Sequence, residues 1–309
     1  MRAAGITEYR GAVTPLELPT PTAVAADQVM IEVYAAGVAN WDEIVRNGGW
    51  NVGSVPPMAL GVAASGIVRE VGRSVSRFSP GDEVLTHSVP LQQGTWAELF
   101  VAREEHVAHK PPGIAWSEAA LFPVPALTAY QVLSEALAIF SKPGDALLVH
   151  GAGGVTGGML VALASDMGAR VIATAGPRSM DRVRGYGANI IVDYHAPDWQ
   201  SQVRAASGGR LHAVANAVPG AASTLMALVD EGGRLATITG DPPSTERGIQ
   251  VIDYYVHPDG AALEQIAIRF AERGLSIPLA ATYELSTADM ALADAVSGKS
   301  AGGITITVH

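Results

Sequence analysis

The 309-residue chain contains no cysteine, which excludes disulfide bonds, thiolate metal sites and thiol nucleophiles. Basic residues are also few, since 20 Lys and Arg stand against 30 Asp and Glu and give a formal net charge of −10. No basic run occurs, and nucleic acid is therefore not an expected partner, because phosphate neutralisation needs clustered cations. Charged residues make up 16% of the chain and hydrophobic residues 48%, a balance that excludes intrinsic disorder.

Long hydrophobic runs are missing as well. The most apolar stretch, residues 146–164, is interrupted by His150 and several glycines, which does not suit a lipid-facing span of about 20 residues. The first ten residues include Glu8 and have no apolar core segment, so a signal peptide is not expected. We therefore predict a cytoplasmic protein without membrane association.

Short β-branched runs dominate the first part of the chain. Residues 29–34 and 65–72 are bounded by Gly, Pro or Asp, as strands commonly are, and a Pro-Gly-Asp turn precedes a further run at 83–85. A helical stretch is expected near residues 117–138, with Ser117 as a possible N-terminal cap. The pattern predicts a compact β-rich unit followed by a helix.

Apolar strands alternate with helices from residue 146 onward. Strands are expected at 146–149, 170–174, 189–192, 213–215 and 234–238, with a helix at 159–167. Continuous apolar strands separated by helices indicate a parallel sheet that is buried on both faces. Helices at 260–273 and near 287–296 and a terminal strand at 304–308 complete an α/β chain.

A glycine-rich turn joins the first of these strands to its helix. Gly151, Gly154 and Gly157 recur at intervals of three between the two elements. A dinucleotide fingerprint requires a tight turn, close approach of the pyrophosphate to the backbone, and close packing of strand on helix. Glycine meets each requirement because it has no Cβ. The pyrophosphate would lie at the helix N-terminus, and a turn that serves packing alone is the alternative.

The end of the next strand bears on the choice of nicotinamide cofactor. An NAD site usually has Asp or Glu at this strand end to bind the ribose diol. This strand ends in Thr174, and no carboxylate lies between Thr174 and Asp181. Arg178 and Ser179 follow the strand and suit the 2′-phosphate of NADPH. We predict NADPH as the cofactor; a solvent-facing Arg178 without any contact is the alternative.

Further motifs occur in an order that few protein families share. They are residues 37–42 with Arg46 and Gly48, 81–84, 94–98, 119–123, 127–130, the glycine turn, 186–188 and 193–194. With these motifs in this order, the chain resembles the zinc-independent quinone oxidoreductase branch of the medium-chain dehydrogenase/reductase superfamily. The resemblance covers nearly the whole chain. The resemblance implies a GroES-like catalytic domain at 1–120 and 258–309, a doubly wound Rossmann NADP-binding domain at 121–257, and a cleft between them.

The resemblance also implies the residues of the site. It suggests that the nicotinamide lies near Thr128, with Asn40, Asp42 and Trp50 on the acceptor side. For Asp42 a helix cap, and for Trp50 simple packing, are the alternatives. The implied cofactor contacts are Thr128, Gly151, Gly153, Gly154, Val155, Gly157, Thr174, Arg178, Ser179, Tyr194, Asn216 and Thr239.

Positions that hold metal ligands in zinc-dependent relatives carry other residues in this chain. Ala39 stands at the cysteine position, Asn40 at the histidine position, and the Gly-His-Glu motif is replaced by residues 61–63, Gly-Val-Ala. A transition-metal site cannot be assembled from these side chains. His106 and His109 have a chelating spacing but no third ligand near them in the sequence, so no metal is predicted.

The missing metal also bears on the reaction. Alcohol oxidation would lack its usual alkoxide stabiliser, whereas reduction of a quinone or an α,β-unsaturated carbonyl delocalises the charge into a hydroquinone or enolate. We predict an NADPH-dependent reductase of such small acceptors. A non-catalytic NADPH-binding protein and a metal-free alcohol dehydrogenase stay open. The resemblance further implies a homodimer formed by edge-strand pairing, with residues 234–238 and 249–256 as candidate strands.

Overall fold

The computed structural model describes residues 1–89, 93–138, 146–209 and 211–309. The chain forms two compact units, of which the first joins Met1–Val124 to Pro258–His309 and the second is Pro125–His257. The first unit is rich in antiparallel strands and the second has a parallel sheet with helical crossovers. The predicted α/β class, with a β-rich part and a doubly wound part built on a parallel sheet, is confirmed.

The elements are numbered along the chain. The strands are β1 Arg2–Ile6, β2 Thr14–Glu17, β3 Gln28–Val38, β4 Met58–Ala59, β5 Ala63–Val71, β6 Glu83–His87, β7 Leu99–Arg103, β8 Val107–His109, β9 Ala146–His150, β10 Arg170–Thr174, β11 Ile190–Val192, β12 Ala213–Asn216, β13 Arg234–Thr237, β14 Gln250–Asp253, β15 Leu279–Glu284 and β16 Gly303–Thr307. The α-helices are α1 Asn40–Arg46, α2 Trp116–Leu121, α3 Pro123–Gln131, α4 Val155–Asp166, α5 Met180–Gly185, α6 Trp199–Ala206, α7 Ala222–Leu225, α8 Gly260–Glu272 and α9 Ala288–Ser297.

The first unit is organised around β3, its longest strand. The main sheet has the order β15-β16-β3-β5-β6-β8, and β7 also pairs with β3. Two strands share one side of β3. Strand β7 pairs with residues 28–32 and β16 pairs with residues 35–38, and both pairings are antiparallel. The buried side chains of Ile31, Trp96 and Phe100 belong to the core of this unit. A separate sheet has the order β2-β1-β4.

The second unit contains a six-stranded parallel sheet of order β11-β10-β9-β12-β13-β14. Strand β9 is buried at all five positions, as expected for a strand covered by helices on both faces. The order of the strands reverses between β9 and β12. In open α/β sheets, ligands bind beyond the carboxyl ends of the strands at such a reversal.

Three sequence expectations differ from the structure. The helix expected at 117–138 is divided into α2, α3 and a π-helical turn, Val132–Ala136, because Pro123 begins a new helix where its missing N–H costs little. Ser117 is not a cap: α2 begins at Trp116, and Ala115 occupies the N-cap position. The segment 234–238 is not an edge strand, because β13 is paired on both sides and β14 forms that edge of the sheet.

Candidate functional site

The glycine turn lies at the strand-order reversal of the second unit. Gly151 has a φ of +89°, a backbone conformation that residues with a Cβ rarely adopt. A Cβ on Gly157 would lie 2.0 Å from the carbonyl oxygen of Gly151, so α4 can pack this closely on the turn only with glycine there. The turn therefore has both the conformation and the close packing that a dinucleotide fingerprint requires.

Backbone hydrogen bonds fix the shape of the turn. The Gly154 amide donates to the Gly151 carbonyl at 3.1 Å, and the Ala152 amide donates to the Thr174 carbonyl at 3.0 Å. Gly154 is the N-cap of α4, and the amides of Val155, Thr156 and Gly157 have no acceptor within their own helix, because the first helical bond runs from the Gly158 amide to the Gly154 carbonyl. They form the positive end of a twelve-residue helix, where a pyrophosphate is favourably held.

Thr174 connects the turn to the end of β10. Its Oγ1 accepts the Gly151 amide at 3.1 Å and lies 2.9 Å from Nδ1 of His150. The His150 ring stacks on Trp199 with ring centroids 5.1 Å apart. Burial lowers the pKa of His150 to about 4, so the imidazole is neutral at physiological pH and shares a hydrogen bond between Nδ1 and the Thr174 hydroxyl. His150 is therefore a satisfied buried residue that helps to hold the turn.

The segment after β10 contains Arg178 and Ser179, whose surroundings differ. A Cβ on Gly153 would lie 2.6 Å from Ser179 Oγ, so the serine hydroxyl rests directly on the glycine turn, and it donates to the Gly176 carbonyl at 3.1 Å. Arg178 is exposed, and it makes no ion pair or hydrogen bond with any residue that the structure describes. The Asp181 carboxylate is paired with Arg184 at 2.6 Å.

An aromatic pair follows β11 and faces the end of β10. The Tyr194 and His195 rings have centroids 4.1 Å apart, and Tyr194 is 47% exposed. A Cβ on Gly176 would lie 3.0 Å from His195 Cε1 and 3.4 Å from the Tyr194 hydroxyl, so both rings lie over that glycine. Hydrogen bonds from the His195 backbone and ring hold the pKa of Asp193 below its usual value. The planes of the two rings are tilted by 32° to each other.

Asn216 and Thr239 belong to a polar cluster at the ends of β12 and β13. Asn216 is completely buried and its amide donates to the Val218 carbonyl and to Thr237 Oγ1, both at 3.1 Å. Thr239 Oγ1 donates to Asp241, which sequence reasoning missed. Partial burial raises the pKa of Asp241, but hydrogen bonds from Thr239 and from the Gly220 amide outweigh it and hold that pKa low. Asn216 therefore joins the two strand ends.

The residues expected on the acceptor side lie in the first unit, on and after α1. Asn40 is exposed as the first residue of α1, and Trp50 is half-buried. Asp42 is fully buried, and its Oδ2 accepts the Ala39 amide at 2.9 Å, so the structure favours the capping alternative. Its Oδ1 has no hydrogen-bond partner among the described residues. Burial raises the pKa of Asp42 to about 7, against the lowering effect of the Ala39 and Gly61 amides.

Thr128, the remaining site residue, lies in the second unit. It belongs to α3 and is 6% exposed. The structure therefore brings the glycine turn, Thr174 and Ser179 together, and it joins Asn216 to Thr239 within the same unit.

The donor set of this chain does not fit zinc. Ala39, Asn40 and residues 61–63 offer no thiolate or imidazole, and the described ranges contain no group of three His, Cys, Asp or Glu able to hold a metal ion. His106 and His109 have separate partners, because Nδ1 of His106 lies 3.0 Å from Ser88 Oγ and Nδ1 of His109 lies 3.0 Å from Glu264 Oε2. No step of the chemistry is therefore assigned to zinc.

Two family models match this chain. The model described as alcohol dehydrogenase GroES-like domain matches residues 25–112, and the model described as zinc-binding dehydrogenase matches residues 186–306. The first match lies within the first unit, and the second begins in the parallel-sheet unit and runs to β16.

Several named proteins are similar in sequence. The mitochondrial NAD(P)H oxidoreductase RTN4IP1 of Mus musculus is 31% identical over 58% of this chain and 49% of its own length. The chloroplastic quinone-oxidoreductase QR1 of Triphysaria versicolor is 27% identical over 99% of this chain and 98% of its own length. The 2-methylene-furan-3-one reductase of Solanum lycopersicum is 31% identical, with coverage of 78% and 62%. The chain thus spans about half the length of the mitochondrial relatives it matches.

Solved structures show the same fold over the full chain. An NAD-dependent alcohol dehydrogenase superposes with a TM-score of 0.84 at 27% identity, covering 100% of both chains. A mycobacterial protein in complex with NADPH gives a TM-score of 0.84 at 24% identity, again covering 100% of both chains.

Across the described residues, every helix is too short or too polar to cross a membrane.

Proposed function

Because this chain belongs to the medium-chain dehydrogenase/reductase superfamily, we propose that it is an NADPH-dependent, zinc-independent reductase of quinones or α,β-unsaturated carbonyl compounds. The observation that carries the proposal is the glycine turn at the sheet reversal, beside a strand end that lacks a carboxylate. The names of the Triphysaria and tomato relatives support the class of acceptor. A mycobacterial structural neighbour was solved in complex with NADPH, which supports a fold that accepts this cofactor.

The cofactor would be held by the second unit. The turn from Gly151 to Gly157 and the first amides of α4 would receive the pyrophosphate. Arg178, exposed and without a protein partner in the described ranges, would bind the 2′-phosphate, with Ser179 beside it. Tyr194 would cover the adenosine phosphate, and Thr128 would lie near the nicotinamide, which supplies the hydride when it is bound.

The acceptor would be bound by residues of the first unit. Asn40 is exposed at the start of α1, and its side-chain amide is able to donate to a carbonyl oxygen. Trp50 would pack against an apolar ring. Asp42 acts indirectly, because its carboxylate is buried and holds the backbone that precedes Asn40. Negative charge from the hydride delocalises over the acceptor, so the residues mainly position it and exclude water.

A metal-free alcohol dehydrogenase is the second candidate, because a solved alcohol dehydrogenase is 27% identical over the full chain. A protein that binds NADPH without turnover is the third. Reduction of NADP⁺ or NAD⁺ by simple alcohols would favour the second. Tight NADPH binding without turnover of any acceptor would favour the third.

The assembly that we propose is a homodimer formed through β14, one of the two edge strands of the parallel sheet. Tyr255, which follows this strand, is 74% exposed. A monomeric mass in light scattering at micromolar concentration would refute the dimer. The cytoplasmic location stays a prediction from the sequence.

The activity is tested with protein that has been treated with a chelator. We expect oxidation of NADPH with benzoquinone or a simple enone as acceptor, at the same rate as in untreated protein. NADH should be a poorer donor. Elemental analysis should find far less than one zinc per chain. Absence of turnover across a panel of quinones and enones, or loss of activity with loss of stoichiometric zinc, would contradict the proposal.

A further inference from the structure

Arg182 makes a contact that the proposed function does not use. It lies on α5, and its Nη2 donates to the carbonyl oxygen of Gly153 at 2.6 Å. Gly153 lies in the turn between Gly151 and Gly154, where the backbone is expected to approach the pyrophosphate. The two residues are 29 positions apart, so the bond joins the segment after β10 directly to the glycine turn.

The surroundings of the guanidinium are unusual for an arginine. Arg182 is half-buried, and its buried Nε has no hydrogen-bond partner among the residues that the structure describes. It forms no ion pair with any carboxylate in the described ranges. A buried charged donor with an unsatisfied N–H is costly. Arg178 and Arg182 therefore have different environments, although they are only four residues apart. Arg178 is exposed, whereas Arg182 packs against the glycine turn.

Ser179 contributes to the same contact. Its hydroxyl lies 2.6 Å from the position that a Cβ on Gly153 would take, while Arg182 donates to the carbonyl of that glycine. Gly153 is thus contacted by Ser179 on its Cα side and by Arg182 at its carbonyl oxygen. If the planar Gly153–Gly154 peptide rotated, its carbonyl oxygen would turn toward the phosphates and repel them.

We propose that Arg182 is a positioning residue that fixes the Gly153 peptide for pyrophosphate binding. The inference rests on the proposed function, because it concerns the same cofactor site. It separates two roles, since Arg178 would recognise only the 2′-phosphate, whereas Arg182 would support the part of the site that NADPH and NADH share. Arg182 is therefore required equally for both cofactors.

The test compares Arg182→Met, which keeps the aliphatic stem, with Arg182→Lys, which keeps a cationic donor. Dissociation constants for NADPH, NADH and ADP-ribose are measured by titration calorimetry. Loss of one charge-assisted hydrogen bond should weaken all three by about tenfold in Arg182→Met. Arg182→Lys should recover most of the affinity. The ratio of the NADPH and NADH constants should stay as in the unsubstituted protein.

Arg184→Met is the matched control. Arg184 lies on the same helix, is 65% exposed in its side chain and pairs only with Asp181 in the described structure, so its loss should change no dissociation constant. Melting temperatures of all variants separate a general loss of stability from a loss of binding. A purely structural role would lower the melting temperature without rescue of affinity by lysine.

Two results would overturn the inference. Affinities in Arg182→Met equal to those of the unsubstituted protein would show that the contact does not position the turn. A loss for NADPH alone would make Arg182 a ligand of the 2′-phosphate. Failure of the unsubstituted protein to bind any of the three ligands would instead refute the proposed function, so the two failures are distinguishable.

Discussion

Asp42 should make the folded protein less stable as the pH rises from about 4 to about 7. The side chain is fully buried, and burial raises its pKa from 3.8 to about 7. In this range the folded state keeps a proton that the unfolded state has released. The stability from this group is therefore fully present below pH 4 and is lost as the pH rises through 7.

The size of the effect follows from the two pKa values. Each pH unit between them changes the free energy of unfolding by about 1.4 kcal/mol. A difference of about three units gives a loss of about 4 kcal/mol, which is a large part of the 5–15 kcal/mol that is typical of a folded domain. Asp42→Asn keeps an oxygen for the Ala39 amide but binds no proton, so it should remove this dependence.

The assay is urea unfolding of the wild-type protein and Asp42→Asn at constant ionic strength, from pH 4.5 to pH 8. Groups that titrate in both proteins, such as His150, cancel in the difference between the two free energies. We expect this difference to shift by about 3–4 kcal/mol in favour of the variant across the range. A difference that varies by less than about 1 kcal/mol would refute the assignment of a raised pKa to Asp42.

Two further predictions concern the cofactor site. Arg178→Ala should raise the Michaelis constant for NADPH by about 10- to 100-fold and leave that for NADH nearly unchanged, because only NADPH has the 2′-phosphate. Equal effects on both constants in steady-state kinetics would mean that Arg178 holds the loop. Gly157→Ala should destabilise the protein by about 1–3 kcal/mol in urea unfolding and weaken both cofactors, because its Cβ would meet the Gly151 carbonyl. Gly185→Ala is the matched control, with nothing within 4 Å of its Cβ; a Gly157→Ala variant as stable as this control would contradict the packing argument.

The elements predicted most accurately from the sequence are those whose residues all have the same environment. Strand β10 begins and ends where it was expected, because a strand buried on both faces is a continuous apolar run between polar ends. Strand β15 was missed, since it is an edge strand with largely exposed side chains and no apolar run. The helix start at Trp116 differs from the expectation because Ser117 makes no capping bond.

The site was predictable only where the pattern is local. The glycine turn lies within a few consecutive residues, so spacing alone predicted its position between β9 and α4. The contacts of Arg182 with Gly153 and of Asp241 with Gly220 join residues 29 and 21 positions apart. Such pairs depend on how strand ends and helices meet in the folded unit. The burial of Asp42 likewise follows from the packing around α1, and nothing in the neighbouring sequence signals it.

The shared side of β3 has a consequence for synthesis on the ribosome. Residues 35–38 of this strand pair with β16, which is made roughly 265 residues later, whereas the strands of the parallel sheet all lie within residues 146–253. At translation rates of about 5–20 residues per second, that part of β3 stays without its neighbour for roughly ten seconds to a minute. Open strand edges promote association between chains. The nascent chain is therefore most vulnerable to aggregation while its last strand is still missing, and ribosome stalling shortly before residue 303 prolongs that exposure.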